Sequence, residues 1–311
     1  MKRTFSKVHI QMLASISLAA MTLPVVQGQP RCPGNIPSVA PRFVQRALVV
    51  IPVKINHAGP FDFMVDTGSQ ITVIDPSLAS QLGLKPQARV GLVSVANYAQ
   101  APVAVPDSLE ADSRVVAKPL AIIQDLGQIR AADPRIRGVL GENFLAHFDL
   151  LIDYREKLLC LDETKAMGKN MRGERIPLVT PQHPENELPF TERLVISVHL
   201  SDTGNRPILL QLDSGSDGPI LYPSSKEKDL PLLARATLQG GDASKAQRAF
   251  AVLPPQDVRI GNRTLSGISF VTPVSVGKNV PRPDEDGLLP TVLFQRVYIS
   301  YADHYAVFDP R

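Results

Sequence analysis

Two aspartates could do chemistry here, because each is followed at once by a hydroxyl residue, a glycine and a serine: Asp66-Thr67-Gly68-Ser69 and Asp213-Ser214-Gly215-Ser216. An ionised Asp is rarely buried without partners. Yet Asp66 sits between Phe61, Phe63 and Val65 on one side and Ile71, Val73 and Ile74 on the other. Such an Asp is either a structural turn residue or a chemical group held on purpose. Two carboxylates brought together cannot both ionise cheaply, so the pair keeps one proton over a range of pH and titrates as a unit. The ionised member can take a proton from water as that water attacks a carbonyl carbon. The protonated member can hydrogen-bond to the carbonyl oxygen and then help deliver a proton to a leaving amine. No metal, cofactor or nucleophilic side chain is required. Gly68 and Gly215 let the backbone turn tightly behind each carboxylate. Thr67, Ser69, Ser214 and Ser216 are expected to lock the loops and to donate to the carboxylates, which would keep the working range acidic.

The elements that must position these groups occur twice. ALVVIPVKINHAGPFDFMVDTGSQITVI in the first half has a counterpart in ERLVISVHLSDTGNRPILLQLDSGSDGPIL. Each runs strand, polar turn, strand, Asp-[Ser/Thr]-Gly-Ser, apolar run. Each half also closes alike, with RGVLGENFLAHFDLLIDYREKLLCL in the first and DGLLPTVLFQRVYISYADHYAVFDP in the second. Asp66 and Asp213 lie 147 residues apart. Average composition gives Asp-[Ser/Thr]-Gly about 0.1 times in a chain this long. Two flanked copies therefore favour a pseudo-twofold molecule whose two turns meet on its axis over a pair of incidental turns.

Proline is abundant, 28 of 311 residues, and short Val/Ile/Leu runs are broken by Pro, Gly, Asn and Asp. That pattern predicts a mostly β protein with few helices. One helix is well punctuated: Asp75 as N-cap, Pro76 in the first turn, Leu78 and Leu82 one turn apart, Gly83 as stop. The opening residues, with Lys2, Arg3 and Lys7 ahead of an apolar stretch from Met12 to Val26, predict a secretory signal over 1–28 and a mature start at Gln29. The alternative is an uncleaved membrane anchor. A short leader over 29–46, a first lobe over 47–164, a polar linker over 165–190 with a possible strand at Ile176-Pro177-Leu178, and a second lobe over 191–311 complete the expected organisation.

The chain carries 33 basic and 30 acidic residues, and the predicted signal removes three basic ones. A balanced mature chain has no basic footprint for nucleic acid and no polybasic patch for a membrane surface. No stable membrane insertion is expected after signal removal. Cys32 and Cys160 are the two cysteines. They could close a disulfide in an oxidising compartment, or Cys160 in LLCL could be a small buried hydrophobe. The six histidines are scattered, so no metal site is expected. Neither Gly-x-Ser-x-Gly nor a phosphate-binding loop is present. Asn262-Arg263-Thr264 reads as a hairpin turn more simply than as a glycosylation acceptor. Asp217, Glu110, Asp112, Asp284, Glu285 and Asp286 read as solvated charges.

With both Asp motifs and the closing segments Val139-Leu140-Gly141-Glu142-Asn143-Phe144-Leu145 and Leu288-Leu289-Pro290-Thr291-Val292-Leu293-Phe294, the chain resembles the pepsin-like and retropepsin-like aspartic peptidases. The resemblance covers roughly 46–162 and 191–311 and looks most like two retropepsin-like units fused in tandem. It implies a mostly β fold of two pseudo-twofold-related β-barrel lobes with a cleft between them. It also implies an extended peptide or protein substrate, catalytic Asp66 and Asp213, supporting loops at Thr67, Gly68, Ser69, Ser214, Gly215 and Ser216, and a hairpin flap. With both lobes in one chain, a monomer is expected. Tyr98 sits at a plausible flap position, although the family's Tyr-Gly-[Ser/Thr]-Gly is missing and an exposed strand Tyr is the simpler reading. Pro290 stands where the family has glycine and is expected to adjust or weaken the second half, since proline lacks an N–H and fixes φ. The stretch from Gln29 to Arg46 is too short for a typical inhibitory pro-segment. The rival reading is a catalytically silent peptide-binding module on the same scaffold.

Overall fold

The computed structural model describes residues 31–45, 47–94, 97–179, 193–201, 206–223, 236–241, 247–276 and 284–309. The predicted signal, the start of the leader and residues 180–190 of the predicted linker lie outside them. Strands β1 (Arg31–Cys32), β2 (Ile36–Pro37) and β3 (Arg42–Val44) lead in. The first half follows with β4 (Leu48–Ile55), β5 (Ala58–Val65), β6 (Thr72–Ile74), β7 (Ala88–Ser94), β8 (Asn97–Ala104), β9 (Ser108–Ala111), β10 (Arg114–Ala117), β11 (Ala121–Ile123) and β12 (Ile136–Leu140). Its closing segment forms β13 (Asp149–Asp153) and β14 (Leu158–Asp162), and β15 (Ile176–Pro177) comes next. The second half has β16 (Val195–Leu200), β17 (Ile208–Asp213), β18 (Ile220–Leu221), β19 (Ala236–Gly241), β20 (Gln247–Val252), β21 (Gln256–Ile260), β22 (Arg263–Ile268), β23 (Val271–Pro273), β24 (Gly287–Pro290), β25 (Arg296–Ser300) and β26 (Tyr305–Phe308).

The fold is mostly β, as the pattern of short apolar runs predicts, and its two large sheets share one plan. The first runs β10-β9-β4-β5-β12-β6-β11-β8-β7, with β3 added on β4. Read from its other end, the second runs β22-β21-β16-β17-β24-β18-β23-β20-β19, the same order strand for strand. In each, the closing strand runs parallel beside the strand that ends at the Asp: β12 along β5, β24 along β17. That parallel neighbour pins the Asp turn from behind, and the Asp66 N–H donates to the Leu140 carbonyl at 3.0 Å. Local order follows the punctuation: helix α1 (Pro76–Gln81) is capped by the Asp75 carboxylate, which accepts from the Ser77 N–H at 3.0 Å, and it stops before Gly83 at φ +66°.

A third sheet, β14-β13-β25-β26-β15, takes strands from both halves. Its closing hairpins read as paired apolar runs in the sequence, and all residues of β13, β14 and β26 are buried. Beneath it, one apolar core is continuous through both halves, from Val49, Ile51 and Phe63 to Leu194, Leu210 and Val297. The segment predicted as linker is structured as far as it is described: Ala166–Asn170 is a short helix, and β15 pairs with β26. The Asp162 carboxylate supplies the reason, accepting from the Thr164 and Met167 N–H groups at 2.7 and 2.6 Å.

The two cysteines close a disulfide, Cys32–Cys160. It ties the leader to β14, and the chain beyond it is held by the Val39 N–H to the Leu159 carbonyl (2.9 Å) and by the Ser38 hydroxyl to the same oxygen (3.0 Å). Cross-links closing long loops typically stabilise by about 2–4 kcal/mol. Replacing both cysteines by serine is therefore expected to lower the free energy of unfolding by about 2–4 kcal/mol, seen as a lower denaturant midpoint, and an unchanged midpoint would mean that the leader is held by its other contacts alone.

Candidate active site

The two Asp turns face each other and interlock through their hydroxyl residues. The Thr67 hydroxyl donates to the Leu212 carbonyl at 2.9 Å and accepts from the Ser214 N–H at 3.0 Å. The Ser214 hydroxyl returns the arrangement, donating to the Val65 carbonyl at 2.9 Å and accepting from the Thr67 N–H at 3.1 Å. Both hydroxyl residues are almost fully buried. Four hydrogen bonds thus tie three polar groups of each turn to the other turn, which fixes their mutual position.

The glycines explain how closely the turns approach. A Cβ on Gly68 would lie 2.6 Å from the Asp213 carboxyl carbon, and one on Gly215 would lie 2.5 Å from that of Asp66. Each carboxylate also accepts from its own turn, from the Gly68 N–H at 2.8 Å and the Gly215 N–H at 2.7 Å. The carboxyls of Asp66 and Asp213 hydrogen-bond to one another. Asp213 is buried and Asp66 is half-buried.

The electrostatics run opposite to the sequence expectation. Burial is the largest influence on both carboxyls and pushes both above the ordinary carboxylate range, outweighing the backbone donors of Gly68, Ser69, Gly215 and Ser216. Asp213 goes well above it, because the Asp66 charge adds to burial. The hydroxyls predicted to offset this serve elsewhere. Ser69 donates to the Ile71 carbonyl at 2.9 Å and Ser216 to the Gly218 carbonyl at 2.8 Å, so they shape the turns and do not donate to the carboxylates.

Pro290 does not disturb the second turn, contrary to expectation. By register, Thr72, Gly141 and Asn143 of the first half correspond to Pro219, Pro290 and Val292 of the second. In the first half the Gly141 N–H donates to the Thr72 hydroxyl at 3.2 Å, and Asn143 Oδ1 accepts from the Thr72 N–H at 2.8 Å. In the second half donor and acceptor are both replaced by prolines, so no buried group is orphaned. Pro290 adopts φ −64°, ψ 133°, natural to its ring, and stays in register opposite Asp213.

Tyr98 lies on the β7–β8 hairpin opposite Val93 and is exposed, its ring folded over Gly91. Asp217 is exposed, and Gly261 and Asn262 form the turn between β21 and β22. The acidic residues near 285 are not solvated loop charges. Glu285 is buried and paired with Arg193, which also reaches Asp284 at 3.5 Å, and Asp286 accepts from the Leu209 N–H at 2.9 Å. Glu110 likewise meets the Ser108 hydroxyl at 2.9 Å and His57 Nδ1 at 2.6 Å. Among the described residues, no group of three or more His, Cys, Asp or Glu could hold a metal ion. No helix among them is long and apolar enough to cross a membrane.

Sheet plan and paired Asp turns together define a mostly β fold of two alike halves, each contributing one Asp turn. Residues 51–144, which carry the first Asp turn and its closing strand, match the aspartyl protease family model. Among solved structures, the chain is similar to a retropepsin-like aspartic protease from Rickettsia conorii, at 22% identity over 37% of this chain and 81% of that one, with a TM-score of 0.27. Among curated proteins there is no match.

Proposed function

We propose that the protein is an exported aspartic endopeptidase that hydrolyses peptide bonds through a water activated between Asp66 and Asp213. The observation that carries this reading is the contact between the two carboxyls, each backed by the other turn's glycine. The more open Asp66 is suited to be ionised and to take the proton from water, and the more buried Asp213 to hold the proton and donate it to the scissile carbonyl oxygen. The amine then leaves with a proton returned from the pair. No cofactor enters. An extended peptide is the substrate class, and the presence of both Asp turns in one chain favours a protein that works as a monomer. Export rests on the basic and apolar opening residues.

Because both carboxyls are raised above the ordinary range, the pH optimum is expected to lie above that of a pair of freely exposed carboxyls. The test is cleavage of a mixed peptide library by the mature protein from about pH 3 to 7, with products read by mass spectrometry. Cleavage that survives chelator but disappears in both Asp66→Asn and Asp213→Asn is the expected result. A well-folded protein that cuts nothing would replace this reading with the silent binding module.

A further inference from the structure

We infer that Tyr154 is a positioning residue for Asp213, acting through Thr291 from the opposite half of the chain. The inference rests on the reading of Asp213 as one of the reacting carboxyls. Tyr154 follows β13 in the first half, while Thr291 opens the single 3₁₀ turn that follows β24 in the second. Their hydroxyls meet at 2.7 Å, with Tyr154 buried and Thr291 wholly so. The Tyr154 N–H also donates to the Gln295 carbonyl at 2.9 Å. One residue therefore grips the turn 291–295 at both ends.

That turn is directly connected to the site. Thr291 is bonded to Pro290, and Pro290 stands opposite Asp213 in the parallel β17–β24 ladder. The phenol also lies within the field of Asp213, whose charge adds to burial in pushing it upward. Tyr154 is itself held: its ring meets Phe43 of β3 edge-on at 5.7 Å, and Lys157 covers Phe43 at 4.6 Å. A path of packed side chains thus runs from the leader to the second aspartate.

Removing the phenol hydroxyl leaves the Thr291 hydroxyl buried and without this partner. Relief comes most easily by a shift of the 290–291 backbone, which the ladder passes to Asp213. A misplacement below 1 Å is enough to slow a positioned reaction by about tenfold or more.

The experiment uses the whole mature protein with Tyr154→Phe, Thr291→Val, their double variant and Thr291→Ser. For Tyr154→Phe, kcat is expected to fall about tenfold with KM within about twofold. Thr291→Val should match it, the double variant should lose no more than either single one, and Thr291→Ser should retain activity. Losses that multiply in the double variant, or a kcat unchanged in Tyr154→Phe, would overturn the inference. So would a loss accounted for by the unfolded fraction in thermal melts. If wild type itself cuts nothing, the peptidase reading fails, and the clamp is read from stability instead. The stability gap between Asp213→Asn and its parent across pH, with Asp66, Tyr154 and Tyr222 as the titratable groups around Asp213, should then change in the Tyr154→Phe background. An unchanged gap would sink the inference on its own terms.

Discussion

Asp213→Asn is expected to abolish peptide cleavage and, at neutral pH, to leave the fold more stable than wild type. The two effects have one cause. Losing the carboxyl removes the proton donor of the pair, and general acid–base groups of this kind contribute about 10²–10⁴-fold. The stability effect follows from linkage. The folded-state carboxyl is held well above its ordinary value by burial and by the Asp66 charge. In the unfolded chain the same carboxyl titrates near about 3.9. Below that pH both states are protonated and the group's contribution is fully present. As pH rises, the unfolded chain releases its proton first, so folding loses about 1.4 kcal/mol per pH unit until the folded-state carboxyl titrates as well. Asparagine has no such slope. Thermal melts of the two proteins should converge near pH 3 and separate as pH rises toward 7, with the variant higher. Curves that run parallel, or a variant that melts lower at neutral pH, would show that Asp213 is not held protonated by its surroundings.

Only part of this site is legible in the sequence. The Asp turns announce themselves because their requirements are local: a carboxylate, a hydroxyl and a glycine in consecutive positions between apolar strands. The partners of Thr67 and Ser214 do not, because they are the main-chain carbonyls of Leu212 and Val65, about as far away in the chain as the repeat itself. Any residue could supply those oxygens, so residue type carries no signal. The direction of the carboxyl shifts is hidden from the sequence for a related reason. Counting nearby hydroxyls favours ionisation, but the balance depends on depth and on where each hydroxyl points, and Ser69 and Ser216 point at their own turns. Pro290 misleads when taken alone, since its lost N–H matters only if an acceptor waits for it, and Pro219 has removed that acceptor as well. Tyr154 did leave a trace, because the closing segments align Asp153-Tyr154 with Ser300-Tyr301. A repeated aromatic in a repeated hairpin reads as core, and only its contact with Thr291 separates it from that role. The mixed sheet escapes sequence reading altogether, since β13 pairs with β25 across the whole length of the repeat and no local pattern encodes that choice.

The interlock itself sets the second large effect. In Thr67→Val the shape is kept, but the Ser214 N–H loses its acceptor and the Leu212 carbonyl loses its donor. Both groups are buried where water cannot replace the lost partner, and each such orphan costs about 1–3 kcal/mol. A destabilisation of about 2–6 kcal/mol is therefore expected, a large share of what holds an ordinary domain together. Thr67→Ser keeps the hydroxyl and should cost much less, mainly the small void left by the methyl. Ser214→Ala breaks the mirrored pair of bonds to Thr67 N–H and the Val65 carbonyl, so it should behave like Thr67→Val. Once one side of the grip is gone the turns can separate, and the other side then has less to hold. The double variant should accordingly fall well short of the sum of the two. Equilibrium denaturation of the four proteins measures this directly. Additive losses would mean that each hydroxyl serves only its own turn. A Thr67→Val protein as stable as Thr67→Ser would mean that the two turns are held together by the sheets behind them, and that the hydroxyls merely occupy the space between.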